Sequence, residues 1–170
     1  MSFGPGEIDP SQPRGGDAGA SSPPLAPDNR VTFNRREFDR ILIHELTHAM
    51  LASIATRNVP AWLNEGLAMY FEGNDAAASE KLLATAHLYV PLSTLDGGFT
   101  QLSAAQAALV YEISAFATSA LITKIGAANL RFFLQDLDNG LTIETAVQRY
   151  GFTMAAFDAE LAKRVGARVR

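Results

Sequence analysis

The stretch ILIHELTHAMLA, residues 41–52, decides the fold and holds the most informative side chains of the chain. His44 and His48 are four residues apart, so on an α-helix they lie one above the other and can direct two imidazole nitrogens at one point. Such a pair supplies two ligands to a zinc ion, and catalytic zinc usually takes a third protein ligand and leaves its fourth position to water. Glu45 lies on an adjoining strip of the same helix, where its carboxylate can reach a water on the metal as general base. Glu65, in the stretch WLNEGLAMYFE at 62–72, is the natural third ligand.

The alternative interpretation is a helix that carries two histidines by coincidence. With 3 His in 170 residues, a random shuffle yields this His-Glu-x-x-His pattern about three times in a thousand. Apolar residues surround the helix and predict that it is buried on nearly all sides: Ile41, Leu42, Ile43, Leu46, Ala49, Met50, Leu51, Ala52 and Ile54. Ionisable groups in such a helix are costly unless a metal pairs with them. Zn²⁺ is therefore the expected cofactor.

Composition limits the class of protein. A chain of 170 residues with 48% hydrophobic content can bury a core as one domain. A net charge of −4 argues against a nucleic-acid partner, and the absence of cysteine excludes disulfides, thiolate ligands and a cysteine nucleophile. No signal peptide is evident, and Glu112 interrupts the longest apolar run, at 104–122, so we expect a soluble chain without a membrane span. Compartment and oligomeric state stay open.

The order of the chain predicts a tail followed by one mostly helical domain. Residues 1–30 are rich in Gly, Pro and Ser and indicate a flexible tail or linker, and residues 31–170 form the domain. Residues 31–33 could form one short strand. Helices are then expected at about 35–56, 60–71, 76–88, 104–125, 128–137, 142–150 and 153–165. The predicted caps are Asn34 for the first helix, Asn74 and Asp75 for the third, and Ser103 for the fourth.

The stretches HELTH and PAWLNEGLAMYFEG resemble the gluzincin zinc metallopeptidases, most of all the small bacterial peptidase MA-like domains and the minigluzincins. In those families the residue matching Glu65 binds zinc. Thermolysin-like enzymes have an aspartate where this chain has Met69, so the groups that orient the histidine rings are open; Asn64 and Glu72 are candidates, and an exposed helix face explains them equally well.

A second resemblance concerns the segment YEISAFATSALI, which begins at Tyr111. It is similar to a gluzincin helix whose leading tyrosine donates a hydrogen bond to the tetrahedral intermediate, a role that suits an uncharged phenol. The alternative, that Tyr111 is only a core residue of an amphipathic helix, is equally good. His87 and Tyr89 are weaker candidates for the same role.

Together these features predict an α+β, mostly α-helical, zincin-like (gluzincin) domain with a minimal N-terminal β element. The resemblance implies a zinc-dependent metallopeptidase that acts on a peptide or protein substrate, with Glu45 as general base. An endopeptidase is favoured because no GxMEN-like segment precedes the first histidine to bind a free α-amine. The alternative is a catalytically silent or latent zinc-binding helical scaffold or interaction domain.

Overall fold

All regular structure in the described part of the chain is helical. The structure is a computed structural model, and it describes Met1 and residues 34–167. The α-helices found there are α1 (Arg35–Ile54), α2 (Ala61–Phe71), α3 (Ala76–Ala86), α4 (Ala104–Ile125), α5 (Leu130–Asp138), α6 (Ile143–Gln148) and α7 (Met154–Arg164). Two short 3-10 helices, Leu92–Leu95 and Ala127–Asn129, lie in the connections before α4 and α5.

The predicted α+β fold class is wrong, and the fold is all-α. Residues 34–167 contain no β-strand, and the predicted strand at 31–33 and the predicted tail beyond Met1 lie outside the described residues. Apolar residues after Asn34 recur at helical rather than alternating spacing. A single short strand also has no partner strand with which to form a sheet.

Local capping signals place the starts of three helices where the sequence predicts them. The side chain of Asn34 accepts a hydrogen bond from the backbone N–H of Glu37 at the start of α1. Asp75 accepts from two backbone N–H groups at the start of α3. Ser103 and Gln106 form a reciprocal capping box at the start of α4.

Helices α2 and α4 pack against each other at the centre of the hydrophobic core. Trp62 is fully buried there. Gly66 is the point of closest approach, because a Cβ at this position would lie 2.0 Å from Oγ1 of Thr118 and 2.4 Å from the carbonyl oxygen of Ser114. Because Gly66 has no side chain, α2 can approach α4 closely at this point. Gly66 directly follows Glu65.

The prediction that α1 is buried on nearly all sides is wrong. Only Thr47 and Leu51 of this helix are buried, and they face α2 and the beginning of α5. Large apolar side chains elsewhere on the helix are 41–56% exposed: Ile41, Leu42, Ile43, Leu46, Met50 and Ile54. Apolar side chains indicate that a helix would gain free energy from burial. Residues 34–167 nevertheless cover only one side of α1.

One helix among the described residues, α4, is long and apolar enough to cross a membrane by length and composition alone. In the structure 56% of the relevant window is buried against other helices. Ten residues of α4 belong to the buried interior, which is the pattern of a core helix in a globular protein.

The C-terminal helices complete the core and connect to the segment after α3. Phe133 in α5, Val147 in α6 and Phe157 in α7 are fully buried. Asp158 in α7 accepts hydrogen bonds from the Tyr89 hydroxyl, at 2.5 Å, and from the Leu92 backbone N–H, at 3.1 Å. These two bonds join α7 to the connection between α3 and α4.

Candidate metal centre

Helices α1 and α2 bring His44, His48 and Glu65 together. The two Nε2 atoms of the histidines are 3.1 Å apart, and Oε2 of Glu65 lies 3.7 Å from Nε2 of His44 and 3.6 Å from Nε2 of His48. The side chains are 22–25% exposed, so they are largely withdrawn from water yet remain reachable. Within residues 34–167 these three side chains form the group suited to hold a metal ion.

The spacing of the three ligand atoms fits zinc. The triangle that they form has its corners about 2.0 Å from a common central point, which matches the usual Zn–N and Zn–O distances of about 2.0–2.2 Å. Two imidazoles and one carboxylate leave room for one more ligand in a four-coordinate site. This open arrangement is typical of catalytic rather than structural zinc.

Hydrogen bonds on the far side of each ring explain why both Nε2 atoms point inward. Nδ1 of His44 donates to Oε2 of Glu72 at 3.0 Å, since a carboxylate can only accept, and Nδ1 of His48 lies 3.1 Å from Oδ1 of Asn64. The Nε2 lone pairs therefore face each other and the carboxylate of Glu65. Three electron-rich atoms at this distance repel one another unless a cation lies between them.

Arg40 extends this hydrogen-bond chain by one residue. Its Nη2 donates to Oε1 of Glu72 at 2.9 Å, and the Glu72 side chain is only 10% exposed. Because Arg40 occupies one carboxylate oxygen, the other oxygen is held towards His44. The hydrogen bond to Glu72 and then the negative charge of Glu72 raise the pKa of the Arg40 guanidinium. Arg40 is not among the site residues predicted from the sequence, although its position one helical turn before His44 places it on the same side of α1.

Glu45 lies beside the histidines without joining the ligand group. It lines an open cavity of about 230 Å³ together with Glu37, Arg40, Ile41 and His44. A second cavity, of about 280 Å³, begins at His48 and is lined mainly by residues at the end of α1 and in the loop before α2. The ligand group therefore has solvent-accessible space on both sides along α1, which an extended chain could occupy.

Tyr111 in α4 lies within electrostatic range of the same centre. Partial burial raises the pKa of its phenol, and the negative charge of Glu65 raises it further. Its ring contacts Phe99 edge-to-face, with the centroids 5.6 Å apart. The phenol therefore keeps its proton at physiological pH and can act as a hydrogen-bond donor.

Tyr89 and His87, the weaker candidates for stabilising the oxyanion, contact other parts of the structure. The Tyr89 hydroxyl donates to Asp158 in α7, and His87 ends α3 in a left-handed conformation with its ring beside Gly166. Ser114, three residues after Tyr111, is fully buried and donates to the carbonyl of Val110. These side chains have structural contacts and are not part of the His44, His48 and Glu65 group.

The family model described as the peptidase MA superfamily matches residues 30–166. This chain belongs to the peptidase MA superfamily. No curated protein and no solved structure gives a significant match to it. Membership of the superfamily and the His-His-Glu group together identify the described domain as metallopeptidase-like.

Proposed function

We propose that this member of the peptidase MA superfamily is a zinc-dependent peptidase. The observation that carries the proposal is the convergence of two imidazole nitrogens and one carboxylate oxygen, with Glu45 next to them on the same helix. A purely structural zinc site closes its coordination with four protein ligands. Among the described residues this group offers three, which supports a catalytic rather than a structural role.

Each side chain has a separate task in the proposed reaction. His44, His48 and Glu65 hold the ion, and Glu72 and Asn64 keep the two rings in the orientation that ligation needs. Bound zinc would supply a Lewis acid for the scissile carbonyl and the attacking water. Glu45 accepts the proton of that water and then delivers it to the leaving amine. Tyr111 donates a hydrogen bond to the developing oxyanion of the substrate.

The proposed substrate is an internal peptide bond of a peptide or protein. The cavities on either side of the ligand group run along α1 and together provide about 510 Å³ of accessible space. Space on both sides of the ligand group suits a chain that continues beyond the scissile bond in both directions. An endopeptidase cleaves a peptide whose N-terminus is acetylated, whereas an aminopeptidase does not. Cleavage of such a peptide therefore distinguishes endopeptidase activity from aminopeptidase activity.

The test compares the parent with Glu45→Gln on an unstructured protein such as casein. We expect both proteins to bind one zinc per chain, because Glu45 is not among the ligand atoms. Cleavage by Glu45→Gln should be at least about 100-fold slower, the usual effect of removing a general base. A chelator should abolish the activity of the parent.

The matched control is Glu144→Gln, an identical change at an exposed residue of α6. It should retain both zinc and cleavage. Stoichiometric zinc without chelator-sensitive cleavage in the parent would refute the peptidase and favour the alternative, a latent or silent zinc-binding scaffold. Absence of zinc from the purified parent, even after incubation with the ion, would refute the metal centre itself.

A further inference from the structure

The hydroxyl of Tyr111 has no hydrogen-bond partner among residues 34–167, although the side chain is partly buried. Tyr89, by contrast, is also partly buried and donates its hydroxyl hydrogen to Asp158. A phenol without such a bond takes its orientation from the side chains that pack against its ring. Its hydroxyl hydrogen also remains available to a substrate.

Tyr111 lies on the side of α4 that faces α2. Tyr111, Ser114 and Thr118 are spaced three and four residues apart, so they share one side of the helix. Gly66 of α2 packs against that side, because a Cβ there would lie 2.4 Å from the Ser114 carbonyl oxygen and 2.0 Å from Oγ1 of Thr118. Glu65 directly precedes Gly66, and its negative charge acts on the Tyr111 phenol. Tyr111 is thus directed towards the helix that carries the third metal ligand.

Phe99 packs against the ring of Tyr111. The two ring centroids are 5.6 Å apart and the ring planes are inclined at 88°. This edge-to-face arrangement is one of the favourable geometries for a pair of aromatic rings. Phe99 lies in the connection between the 3-10 helix Leu92–Leu95 and α4, where it is partly buried against the hydrophobic core. Its ring therefore contributes to the orientation of the Tyr111 ring.

The segment that carries Phe99 is bonded on both sides of this residue. Before it, the carbonyl oxygen of Asp96 accepts a hydrogen bond from the backbone N–H of Ala61, the first residue of α2, at 3.4 Å. After it, the backbone N–H of Leu102 donates to the carbonyl oxygen of Phe99 at 3.2 Å, just before α4 begins. These bonds tie the position of the Phe99 ring to the start of α2 and to the start of α4.

We propose that Phe99 is a positioning residue that holds the Tyr111 phenol in the orientation needed to donate to the oxyanion. This inference rests on the proposed function, in which Tyr111 is the donor. A perpendicular ring in contact with Tyr111 restricts the tilt of the phenol, and that tilt sets the direction of the hydroxyl. A donor is most effective when it is aligned before the charge develops. Phe99 has no polar side-chain atom, so it acts only through Tyr111.

The experiment is a double-mutant cycle on kcat and KM, measured with an N-acetylated peptide. Tyr111→Phe should lower kcat about 100-fold, the usual effect of removing one oxyanion donor. Phe99→Leu should lower kcat about 10-fold and leave KM nearly unchanged, because alignment of the donor matters only in the transition state. In the Tyr111→Phe background, Phe99→Leu should change kcat by less than about 2-fold, because no hydroxyl remains to be positioned.

Two further variants complete the cycle. Phe99→Tyr retains the aromatic ring and should keep kcat near that of the parent. Phe99→Met also lacks a ring and replaces Phe99→Leu if that variant does not fold.

A second readout does not depend on cleavage. Partial burial raises the pKa of the Tyr111 phenol, and the charge of Glu65 raises it further. Because Phe99 covers part of the ring, Phe99→Leu should bring this pKa closer to the usual value of about 10. Nuclear magnetic resonance of protein with isotope-labelled tyrosine follows the titration, and Tyr111→Phe identifies the signal.

The matched control is Phe152→Leu, the same change at another partly buried phenylalanine that packs against the core. Its ring contacts Phe157, with the centroids 5.7 Å apart. This variant should keep both the kcat and the Tyr111 titration of the parent. Zinc content should be equal in all variants, because none of the changed residues belongs to the ligand group.

The outcomes separate this inference from the proposed function. A parent that cleaves the peptide, with Phe99→Leu equally active, would overturn the positioning role and leave the peptidase in place. Equal losses from Phe99→Leu with and without the Tyr111 hydroxyl would overturn it too, since the effect would then be purely structural. A parent that binds zinc but does not cleave would refute the proposed function and this inference with it.

Discussion

At the scale of single residues, Glu72 connects the candidate metal centre to the rest of α1. One of its oxygens accepts from Nδ1 of His44 and the other accepts from Arg40. The first bond fixes the tautomer and the plane of the imidazole, and the negative charge makes Nε2 a better donor to a metal. Glu72 thus takes the orienting role for which position 69, a methionine, has no suitable group.

We expect Glu72→Ala to lower zinc affinity by about 10–100-fold, the usual cost of losing a hydrogen-bond partner of a metal ligand. Competition with a chromophoric chelator measures this affinity directly. Glu37→Ala is the control, because Glu37 also contacts Arg40, at 3.5 Å, but does not bond to a histidine. Equal zinc affinity in Glu72→Ala and the parent would show that the bond to His44 is not needed for metal binding.

At the scale of helices, the contact between α2 and α4 determines where Glu65 lies. Gly66 has no side chain to separate the two helices, and a Cβ there would meet both Thr118 and the backbone of Ser114. Alanine is a better helix former than glycine by about 1 kcal/mol, but this gain is smaller than the cost of overpacking a fixed backbone contact.

Gly66→Ala should therefore reduce the free energy of unfolding by about 1–3 kcal/mol, as measured by urea denaturation. Gly97→Ala is the control, since a Cβ there meets no atom within 4 Å, and it should leave stability nearly unchanged. Adding Thr118→Ala to Gly66→Ala should restore only part of the loss, because the Ser114 carbonyl remains in place. Complete recovery in this double variant would contradict the backbone contact as the limiting one.

At the scale of the whole molecule, the bond between Tyr89 and Asp158 joins segments 69 residues apart in sequence. Burial raises the pKa of the Tyr89 phenol, and its hydrogen bond to Asp158 raises it further. The native state therefore retains the phenol proton at a pH where the unfolded chain, with a usual pKa of about 10, releases it. The resulting stabilisation is complete below about pH 10 and is lost as the pH rises through the native pKa.

We expect Tyr89→Phe to cost about 1 kcal/mol of unfolding free energy near pH 7, the usual worth of one hydrogen bond. Above about pH 10 the stability of the parent should fall more steeply than that of Tyr89→Phe, so that the two curves converge. Urea denaturation across this pH range gives both curves. Tyr70→Phe, at a residue that is 40% exposed, is the control and should follow the parent. Parallel curves for the parent and Tyr89→Phe would refute the linkage.

The sequence by itself determined the features that depend on neighbours along the chain. The four-residue spacing of His44 and His48 places both on one side of a helix whatever surrounds it. Asn34, Asp75 and Ser103 mark helix starts because a cap bonds to backbone groups two or three residues away. Such relations need no knowledge of the tertiary structure.

Only the tertiary structure decided which side chains meet across helices and which surfaces stay uncovered. From the sequence, Asn64 and Glu72 could equally be partners of the histidine rings or residues of an exposed helix face. The packing of α1 on α2 places each of them at one histidine. The same packing showed that α1 is covered on one side and that residues 34–167 contain no sheet. Apolar periodicity reports the free energy that burial would gain, whereas the presence of a partner depends on where the other elements of the fold lie.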